Sequence, residues 1–152
     1  MFMAGLYVEA EKEAHRAAAL DPSGYWAYGH LARALSFEGK HAEAMEAIHV
    51  AEKLGDRDWK LACVAVRAGR KNEALQNLEQ NLPPASPAPL LNRRLFMIYA
   101  CLGDSDRALE YAESMYAEHE PLLPVFLTYP ETAWLRSEPG FAALRQRIGL
   151  PK

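Results

Sequence analysis

The amino-acid sequence predicts an all-α protein: a solenoid of antiparallel helix pairs closed by a short C-terminal capping helix. Three observations predict it. Alanine is abundant and clustered while valine, isoleucine and threonine are sparse, a balance that favours helix because alanine loses no side-chain entropy there and β-branched residues do. Four segments share a glycine followed five residues later by an alanine, and their glycines stand 34, 30 and 34 residues apart. A period near 34 is the mark of stacked helix–turn–helix units. Between these markers the apolar residues fall at i, i+3, i+4 and i+7, one face of a helix.

The four markers are Gly5 with Ala10, Gly39 with Ala44, Gly69 with Ala74, and Gly103 with Ala108. Each glycine suits the residue just past a helix end, where the backbone turns left-handed. Each alanine lies where the next helix must approach its neighbour closely. Tyr28, Leu31, Ala32 and Leu35 form one apolar face, and Ala44, Ala47, Ile48 and Ala51, extended by Leu54, form the next. Leu61, Ala62, Ala65 and Val66 repeat the first face, and Ala74, Leu75 and Leu78 the second. Leu91, Leu95, Ile98, Tyr99 and Leu102 supply a further first helix, partnered by Ala108, Leu109, Ala112 and Met115. The prolines between Pro83 and Pro89 read as an inter-repeat turn, since proline cannot continue a helix. After residue 120, Pro121, Pro124, Pro130 and Pro139 leave only short helices. Ser137, as N-cap ahead of Pro139, starts the last of these, with Phe141, Leu144 and Ile148 on its apolar face.

This arrangement resembles the tetratricopeptide repeat family. The second copy carries the resemblance best, with Tyr28, Leu31, Ala32, Leu35, Gly39, Ala44, Ile48 and Ala51 at the signature places and Asp56 in place of the closing proline. The first copy keeps that proline as Pro22. The third departs most, with Asp58 at the aromatic place and Asn81 at the last alanine place. The fourth carries Phe96 where a small residue is usual. The resemblance implies a right-handed α-solenoid over residues 1–120, divided as 1–22, 25–56, 55–88 and 89–120, with a capping segment over 121–152. The run from Trp134 to Pro151 is similar to the closing segment of bacterial tetratricopeptide regulators and nucleotide cyclases. Because the first copy lacks its first helix, the helix from about Tyr7 to Leu20 is expected to leave an apolar face open. That implies either a piece of a longer protein or a homodimer through the N-terminal helix.

Chemistry is hard to find in the sequence. The five histidines, His15, His30, His41, His49 and His119, never pair with another His or Cys at i+3 or i+4, so no metal site is expected. No nucleophile elbow, phosphate-binding loop or dinucleotide fingerprint occurs. Glu43 with Glu46, and Glu110 with Glu113, share helix faces and read as solvated surface. No catalytic residue and no cofactor is expected, and the chain is read as a non-enzyme. Cys63 and Cys101 lie in apolar helical stretches outside any CxxC and read as buried thiols, which with the lack of a signal-peptide pattern points to the cytoplasm. No apolar run approaches the ~20 residues of a membrane span, so no membrane association is expected. A net charge of −3 argues against a nucleic-acid partner. The basic cluster Arg67, Arg70, Lys71, Arg93 and Arg94 is either solvated surface or a patch for an acidic peptide.

In the tetratricopeptide family the first helix of each pair lines a concave groove. The resemblance implies a partner-binding groove formed by Trp26, Arg33, Phe37, Trp59, Arg67, Arg93 and Met97, with the two tryptophans either lining it or packing between repeats. The chaperone-binding carboxylate clamp of the family is not expected: Gly29, Arg33, Lys60 and Leu90 depart from its pattern, and only Arg94 matches. The expected function is therefore a scaffold that binds a protein or peptide, the alternative being a regulatory tetratricopeptide domain severed from a signalling protein.

Overall fold

A computed structural model describes residues 2–82 and 88–151. All regular structure among the described residues is helical. A 3₁₀ turn over Phe2–Ala4 precedes α1 (Tyr7–Leu20), α2 (Tyr25–Phe37), α3 (His41–Lys53), α4 (Lys60–Arg67) and α5 (Lys71–Asn81). Then follow α6 (Ala88–Leu102), α7 (Ser105–Ala117), α8 (Leu123–Phe126), a 3₁₀ helix over Pro130–Ser137, and α9 (Pro139–Arg147). The chain forms two compact units, residues 1–77 and 78–152. The expected proline-rich turn falls largely outside the described residues.

The glycine–alanine markers are realised as local physics requires. Gly5, Gly39, Gly69 and Gly103 all have φ between 72° and 82°. Past α2, the Lys40 N–H donates to the Leu35 carbonyl at 2.9 Å, and past α4 the Arg70 N–H donates to the Ala65 carbonyl at 2.8 Å. These six-to-one bonds satisfy carbonyls that the helix ends would otherwise orphan. Ala10, Ala44, Ala74 and Ala108 are all buried. The helix starts are less uniform. Asp104 caps α7, accepting from the Arg107 N–H at 3.0 Å, whereas α2 and α3 have no side-chain cap.

In the first unit α2 packs against both α1 and α3. Leu31, Ala32, Leu35, Ala44, Ala47, Ile48 and Ala51 are buried as the spacing predicts, while Leu54 and Leu75 are exposed. α1 packs on α2 with Ala10 and Ala14 buried, while Val8 and Leu20 are exposed. Lys40, in the α2–α3 turn, ties back to α1 through Glu11 at 2.7 Å. That contact lowers the Glu11 pKa, the Lys40 hydrogen bond being the largest cause. α4 is short, and the reason is local. Asp56 accepts the Asp58 N–H at 2.9 Å and Asp58 accepts the Trp59 N–H at 2.9 Å. These aspartates offer the backbone an alternative to helix and delay its start to Lys60.

In the second unit α6 packs on α7, and the C-terminal segments fold onto this pair. Phe96, the large residue at a small-residue place, is fully buried with its ring 6.2 Å from that of Phe141 on α9. The Trp134 indole donates to the Ala100 carbonyl at 3.1 Å. Buried Arg145 donates to the Leu127 carbonyl at 2.9 Å and to the Pro151 carbonyl at 2.8 Å.

Two expectations are corrected here. Ser137 does not cap α9: its hydroxyl donates back to the Trp134 carbonyl at 3.0 Å, and Glu138 takes the N-cap position. The preceding 3₁₀ helix runs through Ser137 and claims its hydroxyl first. Neither cysteine is a free thiol. The argument from thiols to a reducing compartment falls with that. Among the described residues no helix is long and apolar enough to cross a membrane.

Candidate functional site

The richest cluster of recognition-type side chains lies in the first unit, on one face of α2. Trp26, His30, Arg33 and Phe37 follow one another at spacings of four, three and four, so they share that face. Their surroundings differ. Trp26 is 63% exposed, its ring 3.9 Å from that of His30. Arg33 is only 2% exposed. Its guanidinium lies 4.2 Å from the centre of the Phe2 ring and 4.9 Å from that of Trp59. Phe37 is half-buried. It stacks on Tyr7 at 4.6 Å and 9° between planes, and the Arg67 guanidinium stands 3.7 Å from its centre.

Of the expected groove residues, the first unit therefore brings together Arg33 with Trp59, and Phe37 with Arg67. Trp59 is buried. Trp26, Phe37 and Arg67 keep surface exposed to solvent. In the second unit Met97 is fully buried. Arg93 is half-buried, with Nε 3.3 Å from a Glu120 carboxylate oxygen.

Three members of the cluster were missed in the sequence: Phe2, Tyr7 and His30. The helical spacing that runs through Trp26 and Arg33 also passes through His30, and could have found it. Phe2 and Tyr7 carried no comparable signal, since they reach the cluster only after the chain turns at Gly5, where φ is 72°. Burial, aided by the Arg33 and Lys60 charges, lowers the His30 pKa from 6.5 to about 3. The imidazole is thus neutral near pH 7.

Buried Lys60 and Asp56 form a charge group with half-buried Asp58. Lys60 Nζ is 2.8 Å from Asp58 Oδ2 and 3.6 Å from Asp56 Oδ2. Gly29 permits this approach, because a Cβ there would stand 2.9 Å from Asp56 Oδ2 and 3.1 Å from Lys60 Cδ. A lysine engaged by two aspartates is poorly placed to grip a ligand carboxylate. Asp56, the departure at the closing-proline place, thus has a structural part.

The remaining candidates are solvated pairs. His49 meets Glu73 at 3.1 Å, Arg107 meets Glu110 at 3.2 Å, and Arg70 pairs with Glu73 in the basic stretch. Among the described residues no three His, Cys, Asp or Glu side chains are grouped to hold a metal ion. No family model, no curated protein and no solved structure matches this chain.

Proposed function

We propose that this chain is a scaffold of tetratricopeptide-type helix pairs that binds a protein or peptide partner and carries out no chemistry of its own. The observation that carries this reading is the recurrence of one unit design. Four times, a left-handed glycine is followed five residues on by a buried alanine. That pattern belongs to repeats that stack into solenoids and bind partners on the faces of their first helices. The α2 face of the first unit supports the binding part, because it offers an exposed tryptophan and a half-buried phenylalanine, the latter flanked by the exposed Arg67 of α4. These residue types are enriched where partners are held. Trp26, Phe37 and Arg67 are assigned the contacting role, with Arg33 and Trp59 supporting them from beneath. Arg93 is the corresponding candidate in the second unit.

A selection of displayed random peptides against the full chain tests the reading. Enriched peptides are expected to bind the parent protein and to lose at least about tenfold in affinity on Trp26→Ala or Arg67→Ala, the size of a modest hot spot. Failure to enrich any peptide, or enriched peptides indifferent to both changes, overturns it.

A further inference from the structure

The α2 face is already occupied by part of the same chain. Phe2 reaches across from the 3₁₀ turn ahead of Gly5. Its ring lies 4.2 Å from the Arg33 guanidinium, 6.0 Å from the His30 ring, 6.2 Å from Tyr7 and 6.4 Å from Phe37. Every ring pair is tilted, as aromatic neighbours prefer when they enclose one another rather than stack flat.

The walls of this cradle do not depend on Phe2. Arg33 also faces Trp59 at 4.9 Å. Phe37 is held between Tyr7 and Arg67. His30 lies against Trp26. Each wall residue thus has a second neighbour that fixes its position. The occupant belongs to a short element. It sits on a three-residue 3₁₀ turn closed by the Gly5 N–H donating to the Phe2 carbonyl at 3.1 Å. A receptor whose walls are already in place is the arrangement from which a competing ligand gains most.

We infer that the cradle formed by Tyr7, His30, Arg33 and Phe37 is a receptor for an aromatic side chain of a partner peptide, and that Phe2 is an internal stand-in which must leave before the partner binds. The inference rests on the scaffold reading above and adds the chemistry of its ligand: a ring that offers its face to Arg33. An occupant tethered by a few residues competes at an effective concentration on the order of millimolar. Ligands of modest affinity are therefore shut out until the turn opens.

The test uses the full chain and a synthetic peptide of residues 1–6, Met-Phe-Met-Ala-Gly-Leu, supplied in trans. Binding is followed by calorimetry and by tryptophan fluorescence, since Trp59 adjoins Arg33. The Phe2→Ala protein is expected to bind the peptide about tenfold or more tightly than the parent does. The same peptide carrying F2A is expected not to bind. Equal binding to parent and variant, equal binding of the two peptides, or no binding to the variant overturns the inference. Should Phe2→Ala lose the parent's circular dichroism, Phe2→Leu takes its place, since it keeps an apolar side chain and removes the ring. The peptide selection above is read separately. Selected peptides that bind elsewhere, with the trans peptide silent, sink the cradle and leave the scaffold standing.

Discussion

The Arg67 guanidinium of α4 stands 3.7 Å from the centre of the Phe37 ring at the end of α2, and the same ring stacks on Tyr7 of α1. One phenylalanine thereby links three helices of the first unit. The geometry puts a cation over a ring face, where the ring's quadrupole attracts it. A double-mutant cycle of Phe37→Leu with Arg67→Ala should give a coupling of about 0.5–1 kcal/mol, the range for a solvent-accessible cation–π pair. Urea unfolding measures it. A coupling indistinguishable from zero would mean that the contact contributes proximity only.

The helix ends predict opposite effects of two glycine exchanges. His119 occupies the left-handed position past α7 with φ 55°, where the other helices of this kind place glycine. His119→Gly should stabilise the protein by about 1 kcal/mol, the order of the left-handed penalty for a residue with a Cβ. Gly39→Ala meets no atom within 4 Å, so its cost is conformational and should be about 1–2 kcal/mol destabilising. Denaturant midpoints at constant m-value read both signs, and two changes of the same sign would contradict the cap assignment.

Arg145 is the polar tie of the C-terminal region. Its two bonds go to backbone carbonyls at Leu127 and Pro151, and burial lowers its pKa. Arg145→Met keeps much of the volume but leaves the buried Leu127 carbonyl without this donor. A loss of about 2–3 kcal/mol is expected, in the range for charged hydrogen bonds. Arg145→Lys should recover less than half of it, because one ammonium cannot reproduce the planar fork. Thermal unfolding would show full recovery by lysine if charge alone mattered.

His30 makes stability depend on pH in a defined direction. Its folded pKa, about 3, lies below the ordinary 6.5, so below 6.5 the unfolded chain takes a proton that the folded chain refuses. The stabilising contribution is complete above pH 6.5 and is lost progressively as pH falls toward 3. Its slope is at most about 1.4 kcal/mol per pH unit, less with solvent screening. His30→Phe should flatten the unfolding profile between pH 6 and 4, and an unchanged slope would show that other groups set it.

Much of the helical plan was legible because it is governed by neighbours in sequence. A glycine five residues before an alanine speaks of a left-handed turn and a close helix approach, and the four marker pairs behave that way, whereas Gly29 with Ala34 has the same spacing and lies inside α2. The same local logic named the wrong cap at Ser137, because the 3₁₀ helix before it took the hydroxyl. Exposure was less legible than periodicity: Leu54 and Leu75 fit their helical faces yet lie exposed, whereas Arg33 and Trp59 read as groove residues and lie buried.

What the sequence by itself determined is the all-helical class, the left-handed glycines at four turns and the small residues buried after them, because backbone conformation and helical period are local properties. Only the tertiary structure decided that Phe2 fills the face of α2, that Lys60 is engaged by two aspartates, and that neither cysteine is free. Those outcomes depend on which distant groups meet and how much water they lose, and neither quantity is written in any single stretch of chain.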